Sequence, residues 1–420
     1  MTDPARAGSF ERRALAQGSA NIVLQGATLV SKAALLLILA RWLRPEDVGV
    51  FGLLAVTLAF SMFLVGFDFH AYASREMLTG ELGEAPRLFR DQLVFHGLFY
   101  LVALPALWLV FRADILPPAI APVFYALVIA EHACQELQRL LITLSRSAAA
   151  TLVSFVRGGL WVWCLLAAFL LWPSSRSVEF TAWAWATGCA CALILGAIFL
   201  RDLDWSKALR VPIDWPWVRS GARAALPFLA ASLTLRGALT IDRYALKWYV
   251  GDRAVGVYTV YAAASSAVVG FVEAGVIFVL RPGVIAAFRR GELTAYAYQM
   301  RIMATAAIGG AVALSLVAGG LAAPILRLLG DPVYLSSLGS LWVLLGGGVV
   351  LVLIHLADTM LYVRSLDRSI ALGAVAALAS VAAFSWVLVP YAGVFGAAMA
   401  LALGLFMGLA VKLSLLTIKN

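Results

Sequence analysis

Twelve apolar segments follow one another along this chain, each close to the length that crosses a lipid bilayer. A helix needs about 20 predominantly apolar residues to span the hydrocarbon core. The 420 residues are 63% hydrophobic and only 13% charged, which excludes a soluble domain with one large core. The sequence therefore predicts an all-α polytopic membrane protein. The predicted spans are 20–40, 48–69, 92–111, 119–141, 150–171, 179–200, 224–248, 254–280, 302–323, 337–362, 369–389 and 393–416.

Lysine and arginine are unevenly distributed between the two ends of these spans. With a cytoplasmic N-terminus, 21 of the 32 Lys and Arg lie in the inner tails and loops. This bias follows the positive-inside rule and predicts that both termini are cytoplasmic. The net charge of +9 is thus explained by topology, and no nucleic-acid partner is predicted. The four cysteines fall within spans, so neither a disulfide framework nor a metal site is expected.

The longest polar interruption, residues 201–223, separates two sets of six spans. We predict an N-terminal lobe at 1–200, a cytoplasmic linker at 201–223 and a C-terminal lobe at 224–420. The halves share a weak repeat, in which Val48-Gly49-Val50-Phe51 aligns with Val255-Gly256-Val257-Tyr258. An even number of spans per half makes the two lobes parallel, about an axis along the membrane normal.

Polar and basic side chains follow one face of the seventh span. They recur at steps of three or four residues, which places them on one side of a helix. Each cation at bilayer depth costs about 2.5–3.5 kcal/mol, so the pattern favours a water-filled cavity with a positive wall and a transporter that accepts an anionic group. The stripe is Ser232, Arg236, Thr240, Arg243 and Lys247.

A second stripe in span one occupies the matching place in the first half, and Arg157 in span five adds a further cation. We predict a central cationic cavity, with Lys32, Arg157, Arg236 and Arg243 binding substrate. The alternative is that these cations pair with carboxylates on neighbouring helices. The polar residues of this span-one stripe are Asn21, Gln25 and Thr28, which precede Lys32.

Intramembrane acids and histidines are candidates for ion coupling. A carboxylate beside a histidine can exchange protons near neutral pH, which suits coupling to H+; Na+ is the other ion considered. Interhelical hydrogen bonding with fixed protonation is the alternative. The candidates are Glu131, His132, Asp242, Glu273, His355 and Asp358. No phosphate-binding loop or nucleophile–base motif occurs, so neither an enzyme nor a cofactor is predicted.

Three segments carry a family resemblance. Residues 39–51 (LARWLRPEDVGVF) contain a basic residue, a Leu-x-Pro-Glu-x-x-Gly core and an aromatic start to span two. Gly66-Phe67-Asp68 with Arg75, and the Pro-x-x-Gly-x-x-Gly-Ala-Ala pattern in 389–398, are the others. This order resembles the polysaccharide-exporting branch of the multidrug/oligosaccharidyl-lipid/polysaccharide (MOP) exporter superfamily, which includes O-antigen flippases.

The resemblance implies two six-helix bundles around a lumen, with alternating access to the two membrane faces. It also implies a bacterial inner-membrane location, a substrate of undecaprenyl pyrophosphate carrying an oligosaccharide, and a polysaccharide polymerase as partner. A pyrophosphate suits Lys32, Arg236 and Arg243. An ion-coupled multidrug or small-metabolite antiporter remains an alternative, although cationic drugs favour an acidic lumen. A glycan polymerase or ligase is a third, disfavoured by short outer loops.

Overall fold

The computed structural model describes residues 4–79 and 82–418, and within these ranges the chain is helical without a β-strand. Two five-residue π-helical turns, Val156–Leu160 and Glu273–Ile277, interrupt otherwise continuous helices. The helices are α1 Pro4–Trp42, α2 Pro45–Gly66, α3 Phe69–Thr79, α4 Ala85–Leu107, α5 Leu109–Arg112, α6 Ala121–Thr143, α7 Ser147–Phe155, α8 Trp161–Leu171, α9 Val178–Phe199, α10 Trp205–Arg210, α11 Trp215–Ala238, α12 Ile241–Tyr249, α13 Asp252–Val272, α14 Phe278–Arg289, α15 Leu293–Leu329, α16 Leu338–Val363 and α17 Asp367–Ile418.

The helices confirm the predicted all-α membrane class. Among the described residues, nine helices are long and apolar enough to span a bilayer, and the pair α11–α12, bent by 41°, makes a tenth. Helix α17 contains two helices joined at Gly393, whose φ of 51° is left-handed. Helix α6 matches the fourth predicted span, but Glu131, Glu136 and Arg139 lower its hydropathy. These ten spans become twelve, the predicted number, when α17 is counted as two helices and α6 is added.

The chain packs as two compact units. Unit 1 comprises residues 1–35 and 61–229, and unit 2 comprises 36–60 and 230–420. Residues 36–60 thus pack with unit 2, although the predicted N-terminal lobe includes them. The division into functional lobes stays a prediction.

The core of unit 1 forms where α3, α4, α6 and α9 meet, and it includes Phe69, Phe89 and Cys134. Part of the predicted linker docks on this core. Arg90 donates hydrogen bonds to the carbonyls of Val211 and Pro212, and buried Asp91 accepts one from the Asp214 amide at 3.2 Å. These bonds fix the chain between α10 and α11 to the start of α4.

In unit 2, α2 and α13 approach each other closely through glycines. A Cβ atom on Gly49 would collide with the Asp252 carbonyl, and one on Gly256 would collide with the Pro45 carbonyl. Gly52 similarly lies against the Thr259 side chain. The sequence repeat aligns Gly49 with Gly256, so equivalent positions contact each other reciprocally. Reciprocal contact of this kind is the signature of a two-fold relation, and it gives the weak repeat a physical basis.

Gly49→Ala and Gly256→Ala should each destabilise the protein, because backbone atoms cannot move aside for a new methyl group. We expect a loss of about 1–3 kcal/mol, measured by thermal unfolding of the purified protein in detergent. Gly346→Ala is the matched control, since nothing lies within 4 Å of its added Cβ, and a helical Ala there should stabilise by up to about 1 kcal/mol. Equal effects at all three positions would refute the close-approach explanation.

Candidate functional site: a cationic cavity and its acidic neighbours

The basic stripe of span seven runs across the break between α11 and α12. Two side chains of the stripe donate hydrogen bonds to backbone carbonyls at this break. Thr240 donates to the Arg236 carbonyl at 2.8 Å, and the Arg243 guanidinium donates to the Leu239 carbonyl at 2.8 Å. Side chains of the stripe thereby stabilise the bend that orients them.

Arg236, Thr240 and Arg243 line one cavity of about 210 Å³ within unit 2. The Arg243 Nε atom is buried and has no hydrogen-bond partner among the described residues. We call this space the Arg236–Arg243 cavity. Its remaining wall comes from α2, α13, α16 and α17 and is mostly apolar or small: Val56, Ala59, Leu239, Ala262, Ser265, Ser266, Val269, Leu344, Gly347, Gly348, Leu351, Leu401 and Leu405.

The other two members of the stripe do not line this cavity. Lys247 forms an ion pair with Asp252 at 2.7 Å, and Ser232 lies one helical turn before Arg236. Two of the four predicted substrate-binding cations, Arg236 and Arg243, therefore share a cavity. Lys32 and Arg157 belong to unit 1.

Asp242 precedes Arg243 in the chain and is held by two hydrogen bonds. It is fully buried, accepts a hydrogen bond from the Tyr258 hydroxyl, and accepts another from the Arg243 amide at 2.9 Å. The Arg243 guanidinium lies 5.4 Å from the centre of the Tyr258 ring, within cation–π range. Asp242 and Tyr258 thus hold the base of Arg243 in place.

A second pair of charged contacts in unit 2 joins α16 to its neighbours. His355 Nε2 lies 3.0 Å from a Glu273 carboxylate oxygen, and Lys412 Nζ lies 2.5 Å from Asp358. Glu273 opens a π-helical turn and also interacts electrostatically with Arg236. Glu273 therefore connects the histidine to the Arg236–Arg243 cavity.

Lys412 was missed by the sequence analysis, which counted it among the cytoplasmic charges. It is 3% exposed, packs over Gly373 where any side chain would collide, and bonds to Asp358 inside the helical bundle of unit 2. A lysine at the end of an apolar helix resembles a cytoplasmic anchor in sequence. Its buried partner, Asp358 on α16, becomes visible only in the structure.

In unit 1, Arg157 pairs with Glu131. This is the arrangement expected if the cation pairs with a carboxylate on a neighbouring helix. The guanidinium lies 3.5 Å from Glu131, whose other oxygen accepts a hydrogen bond from the Trp185 indole at 2.6 Å. Lys32 interacts electrostatically with both charged groups. Arg157 lies in the π-helical turn Val156–Leu160, which projects it from the helix.

The stripe of span one faces that same turn. Gly158 lies opposite Thr28 and Lys32, since an added Cβ would be 3.4 Å from one and 3.5 Å from the other. Asn21 and Gln25 lie further toward the start of α1, and the Gln25 side chain is exposed. The helical spacing thus gives a shared face for Thr28 and Lys32.

His132 belongs to a buried polar cluster that sequence reasoning did not assemble. Its Nδ1 atom lies 2.6 Å from the Tyr100 hydroxyl, its ring centre is 4.6 Å from that of His96, and Glu136 is 3.6 Å away. Gln92 and Arg139 both donate to Glu136. The participating residues lie on α4 and α6, far apart in sequence, so no local spacing could have indicated the cluster. No group of metal-ligating side chains occurs among the described residues.

Comparison with solved structures identifies the architecture as that of MOP transporters. An inward-facing multidrug resistance MATE family transporter matches 95% of this chain and 98% of its own, with a TM-score of 0.73 and 15% identity. The inward-closed lipid II flippase MurJ matches 95% of this chain and 88% of its own, with a TM-score of 0.74 and 10% identity. A MOP superfamily transporter from Pyrococcus furiosus, described as having a binding pocket of reverse polarity that suggests a different function, matches 95% of this chain and 93% of its own, with a TM-score of 0.57 and 14% identity.

These likenesses define a multi-pass membrane protein with the MOP fold. The family model described as polysaccharide biosynthesis protein matches residues 15–284, more than half of the chain. The chain therefore belongs to this family of polysaccharide biosynthesis proteins, as the sequence resemblance predicted. No curated protein matches the chain.

Removing one partner of the Lys412–Asp358 pair should cost far more than removing both. Lys412→Met or Asp358→Leu leaves an uncompensated charge in the bundle, and we expect each to lose about 3–5 kcal/mol of stability. The double variant should recover most of that loss. Thermal unfolding of the four proteins in detergent gives the coupling free energy. Additive losses would show that the two charges act independently.

Proposed function

We propose that this protein is a flippase that moves an undecaprenyl-pyrophosphate-linked oligosaccharide from the cytoplasmic to the outer leaflet of a bacterial inner membrane. The observation that carries the proposal is the Arg236–Arg243 cavity, in a chain of the polysaccharide biosynthesis family. Two guanidinium groups in a wall that is otherwise mostly apolar or small match a diphosphate, which Arg binds through paired, charge-assisted hydrogen bonds. Both termini would be cytoplasmic.

Further features of the chain support a lipid-linked anion as substrate. Lys32 and Arg157 in unit 1 are the other candidates for headgroup binding, and MurJ, a lipid II flippase, has a similar fold. Alternating exposure to the two faces would be driven by an ion gradient or the membrane potential. One elementary charge crossing the field yields about 2.3 kcal/mol per 100 mV. A polysaccharide polymerase would then use the exported unit.

The runner-up is an antiporter for drugs or small metabolites, which the MATE likeness favours. Polarity argues against a cationic drug, because a cavity lined by two arginines repels it. The Pyrococcus furiosus transporter provides a precedent in this fold for a binding pocket of reverse polarity. A membrane polymerase or ligase is less well supported, because the predicted outer loops are short.

Deletion of the gene in its host, with sidedness of lipid-linked oligosaccharide as the readout, tests the proposal directly. An added glycan-modifying enzyme should reach the accumulated intermediate in inverted vesicles but not in spheroplasts. Complementation with the intact gene should restore outward exposure. If unpolymerised units are exposed outside as usual, a polymerase or ligase is the better explanation. If lipid-linked glycans do not change at all, an antiporter for drugs or small metabolites is the better explanation.

Arg236→Ala and Arg243→Ala should each reduce translocation about 10- to 100-fold, because a hydrogen bond to a charged group contributes about 1.5–3 kcal/mol. The double variant should abolish it, with membrane insertion unchanged. Arg253→Ala is the matched control, because this exposed arginine pairs with Glu46, and such surface pairs contribute little. Translocation in reconstituted vesicles is the measurement. Full activity of the double variant would rule out the cavity as the headgroup site.

Glu273 and His355 are the best candidates for ion coupling. Asp242, Asp358 and Glu131 are each held by a fixed hydroxyl, lysine or indole partner. Glu273 instead pairs with a titratable histidine and also interacts with Arg236. A proton on this pair would weaken its electrostatic interaction with Arg236 and so change the charge that the cavity presents to the substrate.

Glu273→Gln should therefore make translocation insensitive to an imposed proton gradient, because the amide cannot exchange a proton. Glu292→Gln, at an exposed acid paired with Arg290, should retain the gradient dependence of the unaltered protein. The measurement is translocation rate in vesicles with and without a pH difference. An unchanged dependence in the Glu273 variant would return the pair to a structural role.

A further inference from the structure

A second cationic cavity lies on unit 2, away from the Arg236–Arg243 cavity and on different residues. It has a volume of about 530 Å³ and forms beside α14 and the end of α16. Arg281 and Arg289 stand on the same face of α14, eight residues or about 12 Å apart along the axis. Tyr362 of α16 also lines the cavity, and its ring centre lies 5.7 Å from the Arg281 guanidinium. We call it the Arg281–Arg289 pocket.

Both arginines have unused charge. Neither forms an ion pair with any carboxylate in the described part of the chain, whereas the next residue, Arg290, is bound by Glu292 at 2.8 Å. Arg281 is half-buried against Tyr362, so its guanidinium is held in place rather than extended into solvent. Arg289 is exposed. Two guanidinium groups without a carboxylate partner, one of them held against Tyr362, suit a phosphate group.

The wall beside the arginines is apolar and exposed. Phe278, which lines the pocket, is 64% exposed and the adjacent Val279 is 66% exposed. These residues begin α14, the last part of a 38-residue candidate span that ends at Arg289. Apolar side chains followed by arginines at the end of a span are typical of the membrane interface on the positively charged, cytoplasmic side. A soluble phosphate would gain nothing from such a wall, whereas an acyl chain would cover it.

We propose that the Arg281–Arg289 pocket binds the phosphate of an anionic phospholipid of the cytoplasmic leaflet. The phosphate lies between the two guanidinium groups, and Tyr362 fixes Arg281 beside it. An acyl chain follows Phe278 and Val279 into the bilayer. Basic pockets between membrane helices recognise lipid headgroups through this combination of charge and apolar contact. The proposal does not depend on the translocated substrate.

Binding of phosphatidylglycerol and of phosphatidylcholine to the purified full-length protein, by native mass spectrometry and thermal unfolding, tests the proposal. The unaltered protein should retain phosphatidylglycerol in preference to phosphatidylcholine and unfold at a higher temperature with it. In R281Q/R289Q the affinity for phosphatidylglycerol should fall about 30-fold, because each basic residue near a membrane surface contributes roughly fivefold. The charge-retaining R281K/R289K should keep most of the preference.

R290Q is the matched control, since it removes a neighbouring arginine that is already paired, and its lipid affinity should equal that of the unaltered protein. Inorganic phosphate as the only added ligand should give no stabilisation. Equal binding of the two lipids to the unaltered protein would overturn the proposal, even if the double variant failed to fold. The proposal would also be overturned if R281Q/R289Q bound phosphatidylglycerol as tightly as the unaltered protein does. Stabilisation by inorganic phosphate alone would overturn it as well.

Discussion

The free-energy cost of placing a charge inside the bilayer determines how the polar residues of this protein are arranged. Isolated cations at that depth cost several kcal/mol, and several of the described cations have a carboxylate close by. Arg157 contacts Glu131, Lys412 contacts Asp358, and Lys247 contacts Asp252. Arg236 and Arg243 differ because they line a cavity. The predicted substrate-binding role therefore rests on the two arginines that border a cavity.

Departures from regular helix geometry bring these charges into position. Arg157 and Glu273 both lie in π-helical turns, where one extra residue per turn changes the direction of the following side chains. At the break between α11 and α12, the Arg243 and Thr240 side chains donate hydrogen bonds to backbone carbonyls. Irregular backbone at membrane depth is tolerated only where it is covered by protein or lines water. Three of the predicted site residues, Arg157, Arg243 and Glu273, therefore lie in or next to irregular segments.

Helical periodicity was sufficient to predict much of this arrangement. It gave the all-α membrane class, the shared face of Thr28 and Lys32, and the joint placement of Arg236 and Arg243. It could not give pairings between helices, because Lys412 with Asp358 and His96 with His132 are set by tertiary packing. The π-helical turns also escaped prediction, since their sequences contain nothing that regular helix excludes. Whether the predicted cations bind substrate remains a prediction.

The contrast between Asp242 and Glu273 shows how the same residue type takes different roles near one cavity. Asp242 is fully buried, and its carboxylate accepts bonds from a tyrosine hydroxyl and a backbone amide. These two bonds fix the position of the carboxylate, which in turn holds the base of Arg243 in place. Glu273 instead has the His355 ring as its close partner. Of these two acids, only Glu273 pairs with another ionisable side chain and also interacts electrostatically with Arg236, so the proposed coupling of ions to cavity occupancy rests on it.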